Sequence, residues 1–254
     1  MTMKPEQGCA WVTGASSGIG AAVALRLARD GWRVVVSARG ADKLAALAEG
    51  SGGRIVPMAV DLTDRDAVLR AVPAIEAAHG PIALAVLNAG TYKPDRAETF
   101  SSADFRMHVE INLMGTAYCL EALLPAMIGA KRGQIAVVSS VAGYRGLPTS
   151  IAYRATKAAL INMTEALKFD LDRHGIKIQI VNPGFVRTPL TDRNTFKMPA
   201  LMEVEDAADR LVEGLKRDSF EIAFPRRFTF WLQRLRCLPY KVYFPLVARA
   251  TEGK

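Results

Sequence analysis

A tyrosine and a lysine four residues apart, Tyr153 and Lys157, follow Ser140 by thirteen and seventeen residues. On a helix, residues four apart share a face, so this phenol and this ammonium project into the same space. An ammonium beside a phenol favours the phenolate, and an oxidised nicotinamide would act in the same direction. A phenol starting near 10 must fall by about three units, roughly 4 kcal/mol, to exchange its proton near neutral pH. Two neighbouring cations are expected to supply that. Far upstream, Gly14, Gly18 and Gly20 punctuate the stretch Thr13-Gly14-Ala15-Ser16-Ser17-Gly18-Ile19-Gly20. A turn without side chains brings backbone close to a pyrophosphate, whose charge is met by the amino end of the following helix. A phosphate cradle and a polarised phenol on one chain are what reversible hydride transfer between a carbonyl and a nicotinamide requires.

These residues must be held by regular elements, and the hydrophobic pattern supplies them. Cys9–Thr13, Arg33–Ala38, Arg54–Val60, Ile82–Asn88, Gln134–Ser139 and Lys177–Val181 read as strands. Their near-continuous apolar character is that of parallel strands covered on both faces. Amphipathic stretches lie between them, among them Ile19–Asp30, Asp64–His79, Ala103–Ile128 and Ala152–His174, and a helix at Glu205–Lys216 precedes a seventh strand at Phe220–Phe224. Such alternation predicts an α/β fold, a doubly wound parallel sheet of the Rossmann kind, as one domain over residues 1–225. Ser101 is expected to cap the fourth helix, with Asp104 completing a capping box, and Gly175 to end the helix that carries Tyr153. Tyr153 then lies near that helix's start, at the carboxyl edge of the sheet, where ligands bind in open α/β sheets.

In order and spacing, the glycine-rich turn, Asn88-Ala89-Gly90, Asn112, Ser140, Tyr153, Lys157, Pro183-Gly184 and Thr188 resemble the short-chain dehydrogenase/reductase (SDR) family over about the first 225 residues. The resemblance implies that Tyr153 gives its proton to the carbonyl oxygen in reduction and takes it back in oxidation. Ser140 binds the same oxygen, Lys157 also holds the nicotinamide ribose, and Asn112 anchors a water in a proton relay. For the cofactor it implies contacts from Gly14, Ser16, Ser17, Gly18, Ile19 and Gly20. Asp61 lies at the adenine with Leu62 beside it, Asn88 steadies the sheet, and Ala89 and Gly90 give the nicotinamide half room. Pro183, Gly184, Val186 and Thr188 hold the carboxamide end. Ala38 stands at the end of the second strand, where NAD enzymes place an acid that holds the ribose hydroxyls, and Arg39 follows it. A guanidinium takes a 2′-phosphate in a charge-assisted contact, with Lys43 one turn further on, so NADP(H) is the expected cofactor.

From Thr188 to about Val204 runs the family's substrate lid. Pro189, Leu190, Phe196, Met198, Pro199 and Leu201, with Val141, Tyr144, Leu147 and Phe185, predict an apolar pocket for a lipophilic ketone, aldehyde or alcohol. Cys9, Cys119 and Cys237 are few and far apart, and His79, His108 and His174 lack ligand spacing, so neither a disulfide framework nor a metal site is expected, and the histidines are placed on surface helices or helix ends. No run of about eighteen consecutive apolar residues appears, and a cytoplasmic protein is expected. The net charge of +8 is concentrated at the end: Ser219 to Lys254 holds seven basic residues against two acidic ones. No recognition motif accompanies them, so nucleic acid is not an expected partner. Residues 226–254 depart from the family ending and are expected to form a helical, basic extension. It is read as a flap over the partner or the substrate mouth, in preference to a peripheral membrane contact. The family expectation is a homodimer or homotetramer, built for the dimer from the helices at Ala103–Ile128 and Ala152–His174. The leading function is an NADP-dependent carbonyl reductase. A 3-oxoacyl reductase acting on carrier-bound substrates and a catalytically silent nucleotide sensor are the alternatives.

Overall fold

The computed structural model describes residues 2–193 and 198–252 of the 254. Seven strands, β1 (Cys9–Thr13), β2 (Val34–Ala38), β3 (Ile55–Ala59), β4 (Ile82–Leu87), β5 (Gly133–Val138), β6 (Ile176–Pro183) and β7 (Glu221–Phe224), form one sheet among the described residues. All pairings are parallel, in the order β3-β2-β1-β4-β5-β6-β7. The chain winds outward from β1 in one direction and from β4 in the other, so the crevice between those two strands is the topological switch point. This is the doubly wound Rossmann-type sheet expected from the strand pattern.

Alternate residues of each strand feed two cores. Ala10 and Val12 of β1 face α1 (Gly18–Arg29) and α7 (Val204–Leu215), while Cys9 and Trp11 face α3 (Arg65–His79), α5 (Gly115–Ala130) and α6 (Ile151–Arg173). Trp11 is wholly buried and donates its indole N–H to the Ser37 hydroxyl at 2.9 Å, so its polar atom is satisfied. Burying one large side chain of this kind contributes about 2 kcal/mol. α2 (Ala41–Ala48) covers β2 and β3. Cys9 and Cys119 are buried, and burial pushes both thiols up, Cys9 to about 11, which leaves them unreactive near neutral pH.

The long fourth helix is not continuous. α4 (Ser102–His108) passes into a π-helical turn, Val109–Met114, before α5 begins. Ser101 caps α4 by accepting from the Asp104 N–H, but the Asp104 carboxylate pairs with Lys93 at 2.6 Å and does not return to the cap, so the expected box is half made. His108 is buried, contrary to its expected surface position. Its Nε2 accepts from the Lys93 N–H and its Nδ1 meets the Asp104 carbonyl, fixing the loop after β4. By length and composition, Ser102–Ala130 would pass for a membrane span. One face of it, with Cys119, Leu120, Leu123 and Met127, is buried against the sheet.

Candidate active site

The turn after β1 and the end of β4 face each other across the switch point. Gly14 has φ +66°, and a Cβ there would lie 2.6 Å from the Ala89 Cα; a Cβ on Gly20 would lie 2.5 Å from the Asn88 side chain. Both positions therefore exclude every other residue. Asn88 ties the strands together: its N–H donates to the Thr13 hydroxyl at 3.0 Å, and its amide donates to the carbonyls of Thr13 and Gly14 at 3.1 and 3.3 Å. Ala89 also donates to the Thr13 hydroxyl. At the α1 amino end Ser17 makes no side-chain cap, and the first turn carries no acid. Its N–H groups and the positive end of its dipole are thus open to an anion. Thr188, reached after β6, stands across the same turn: a Cβ on Gly18 would lie 3.1 Å from its methyl group. This is a cradle that glycine alone keeps open, and a dinucleotide's pyrophosphate fits it.

Further along the edge, Arg39 is exposed and forms no ion pair among the described residues. Asp61 accepts from the N–H and hydroxyl of Thr63 on Oδ1, which fixes its direction and leaves Oδ2 free to accept. Leu62 is buried against Gly115. Val186, buried, bridges to Met202; the Arg187 N–H donates to the Met202 carbonyl and the Met202 N–H to the Phe185 carbonyl.

The chemistry-bearing side chains converge where the sheet edge meets α6. Lys157 is buried and donates to the Val138 carbonyl at 2.9 Å, with its ammonium 5.6 Å from the centre of the Tyr153 ring. The π turn aims Asn112 inward. Its Oδ1 accepts from Thr91 N–H at 2.6 Å, and its Nδ2 donates to the Thr91 carbonyl and the Thr156 hydroxyl. A Cβ on Gly90 would lie 3.3 Å from Asn112 Oδ1 and 3.6 Å from Lys157 Nζ, so these two groups line one small space. Ser140 accepts from the Ala142 N–H at 3.1 Å and donates to the Pro183 carbonyl over a long 3.4 Å, a hydroxyl easily redirected to a ligand. Tyr92 packs edge-on against Tyr153 with ring centres 5.2 Å apart.

The electrostatics depart from the expectation of an acidified phenol. Burial pushes Tyr153 up to about 12, and the Ser140 hydroxyl and Arg154 only partly oppose it. Burial also brings Lys157 down to about 8. In the protein by itself desolvation dominates, because a phenolate here would lose more hydration than the Ser140 hydroxyl and the Arg154 charge return. The phenol is held protonated.

On the substrate side, Tyr144 is not the plain apolar wall expected of it. Its hydroxyl bonds the Glu221 carboxylate, which also accepts from Asn182 at 2.6 Å and from Gln233 at 2.7 Å, and the Tyr144 phenol is pushed up by burial and by that carboxylate. Phe185 packs on Phe228 with ring centres 5.9 Å apart. Phe228 and Gln233 belong to α8 (Arg226–Arg236), which with α9 (Tyr240–Glu252) follows β7. Arg145 clamps these helices: one guanidinium nitrogen donates to the carbonyls of Leu235, Arg236 and Leu238, and its plane lies over the rings of Tyr240 and Tyr243. Tyr243 returns a bond to the Gly146 carbonyl at 2.6 Å. Phe196 of the expected pocket lies outside the described residues, as does Lys254 of the basic tail. No cluster of three metal-ligating side chains occurs among the described residues. Sequence reasoning missed Arg145, Glu221 and Gln233; an acid in the last strand followed by a lone glutamine in an otherwise basic helix was the available signal.

A parallel sheet with a glycine-lined cradle at its switch point and a Tyr-Lys pair on the adjoining helix defines a nucleotide-binding oxidoreductase architecture. The family model for short chain dehydrogenases matches residues 8–198. An uncharacterised oxidoreductase of Myxococcus xanthus is 38% identical over 237 residues, 92% of this chain and 94% of that one. A 3-oxoacyl-[acyl-carrier-protein] reductase of Thermotoga maritima is 34% identical over 194 residues, 75% and 79% of the two chains. Among solved structures, ElxO with NADP bound superposes with a TM-score of 0.77 at 26% identity, over 88% of this chain and 98% of that one. A short-chain dehydrogenase/reductase of Burkholderia phymatum in complex with NAD gives 0.83 at 24% identity, over 92% and 94%. The chain belongs to the short-chain dehydrogenase/reductase family and is an oxidoreductase of that family.

Proposed function

We propose that this protein is an NADP-dependent reductase of lipophilic ketones or aldehydes, able to run in reverse as an alcohol dehydrogenase, with Tyr153 as general acid and base. The observation that carries the reading is the convergence of Ser140, Tyr153, Lys157 and Asn112 beside the open amino end of α1. The bound cofactor supplies or accepts the hydride. Tyr153, protonated throughout the neutral range, gives its proton to the carbonyl oxygen, and Ser140 donates to the same oxygen as negative charge develops there. Lys157, with its pKa brought down to about 8, is well placed to return that proton and to hold the ribose. The Asn112 carbonyl accepts from Thr116 and keeps a second lone pair for a relay water.

NADP is favoured by Ala38 and by an Arg39 guanidinium that forms no ion pair among the described residues. The NADP bound to ElxO supports the same choice, while the NAD of the Burkholderia protein represents the rival. The Phe185–Phe228 contact supports an apolar substrate. Two copies pairing through the outer faces of α4, α5 and α6 would cover Phe169, which is 73% exposed. The Thermotoga relative favours a second reading, reduction of a 3-oxoacyl thioester. The test follows the absorbance of NADPH and NADH over a panel of ketones, aldehydes and a 3-oxoacyl thioester. Turnover of lipophilic ketones or aldehydes with NADPH is expected; a preference for NADH, or turnover of the thioester alone, overturns the reading.

A further inference from the structure

The two helices that close the chain have two faces, and the contacts described above use one. Toward the protein lie Phe228, Thr229, Leu232 and Gln233 of α8 and Tyr243 and Val247 of α9. Both inner faces close on the loop 144–146, so both outer faces turn away from the domain. On α8 the outer stripe is Arg227, Phe230, Trp231 and Arg234, at the spacing of one helix face. On α9 it includes Lys241, Val242, Phe244 and Leu246, with Tyr240, whose ring lies under Arg145, at its edge. Trp231 is 68% and Phe244 61% exposed, and six of the nine exposed large hydrophobic side chains among the described residues lie in these two helices.

The charge on this face has one sign. From Ile222 to Thr251 there are six arginines and lysines and no aspartate or glutamate. Among the described residues Arg226, Arg227, Arg234, Lys241 and Arg249 form no ion pair; Arg236 reaches Glu165 at 3.9 Å. The Arg234 guanidinium instead lies 4.9 Å above the Phe230 ring, and Tyr240 stacks on Phe244 at 5.5 Å. Aromatic rings flanked by unpaired cations suit the boundary between headgroups and acyl chains, where the rings leave water and the cations meet phosphate. A second copy fits poorly: a two-fold contact would set these cations against their own equivalents. Exposed aliphatic groups such as Val242 and Leu246 have no use for a polynucleotide, which stacks its bases on rings.

We propose that α8 and α9 form a peripheral membrane-docking face for bilayers containing anionic phospholipid. The chain carries its own reporter, since Trp11 and Trp32 are buried and Trp231 is exposed. The full chain is mixed with vesicles of phosphatidylcholine and phosphatidylglycerol, or of phosphatidylcholine alone, then sedimented, with tryptophan emission recorded. Binding to the anionic vesicles is expected, weakened by salt, with a blue shift of emission and protection from a soluble quencher. Trp231→Ser with Phe244→Ser is expected to weaken binding at least about tenfold, and Arg227→Ser with Arg234→Ser about as much. Both variants should bind NADPH as the parent does, which shows that they are folded. The blue shift in the unaltered chain provides a test that needs no variant. Absence of sedimentation with either vesicle overturns the proposal. So does a concentration-dependent doubling of mass that Trp231→Ser abolishes, which assigns the face to a second copy, or tighter binding to a DNA oligonucleotide than to anionic vesicles.

Discussion

The two rims of the candidate active site, one proposed for the cofactor and one for the substrate, are built in opposite ways. The cofactor rim is closed by backbone and by short side chains at the ends of β1 and β4: Thr13, Gly14, Gly20 and Asn88 meet within one crevice, with no room for a Cβ at either glycine. The substrate rim is closed by long side chains reaching between distant segments. Tyr144 and Arg145, just after Ser140, are joined to α8 and α9 some ninety residues further on, through Glu221, Gln233 and three helix-end carbonyls. The first rim is rigid because its atoms have nowhere to go. The second depends on a polar latch, and a latch can be altered without disturbing the sheet.

The sharpest break falls where the rims meet. Tyr153→Phe is expected to lower kcat about a thousandfold while changing NADPH affinity less than about twofold, measured by steady-state kinetics and fluorescence titration. Residual turnover near the parent's would remove Tyr153 from the chemistry. On the cofactor rim, Gly14→Val forces a branched side chain into φ +66° against the Ala89 backbone. A stability loss of about 3 kcal/mol in urea unfolding, with NADPH binding abolished, is expected.

Lys157 offers a test by pH. Its folded pKa lies below the ordinary 10.5, at about 8, so between those values the unfolded chain binds more protons and the Lys157 contribution to stability rises with pH. Across that window the parent should gain about 2 kcal/mol relative to Lys157→Met, read from urea midpoints at both ends. Parallel pH dependences would contradict the burial of the charge.

Arg39→Ala should weaken NADPH about tenfold and leave NADH nearly unchanged, since only the 2′-phosphate is lost as a partner. The smallest effect belongs to the substrate rim. Arg145→Ala deletes the clamp at a cost of about 1 to 2 kcal/mol, expected as a several-fold change in KM for bulky carbonyls with the small-substrate KM unchanged. Early proteolytic cleavage within 226–252 should accompany it; equal resistance in both proteins would show that α8 and α9 are held by other contacts.

This division also explains what the sequence made legible. The strands and the cofactor crevice depend on near neighbours and on glycines, so periodicity and spacing located them to within a residue or two. The π turn at Val109–Met114, the burial of His108 and the commitment of Tyr144 to Glu221 depend on partners brought near only by the finished fold. The expected acidification of Tyr153 counted an oxidised nicotinamide beside Lys157; the protein by itself shifts the phenol the other way, for a related reason. Burial, which no local pattern reveals, carries the most weight there.

The uncapped start of α1 has a consequence for the stability of the protein. Four backbone donors at a helix end are ordinarily answered by a side chain, and Ser17 does not answer them here. Whatever anion does so completes the fold as well as the site, so its binding free energy adds to folding stability. A hundredfold excess over the dissociation constant is worth about 2.7 kcal/mol. The melting temperature is therefore expected to rise with the concentration of a nucleotide bound at this end of α1.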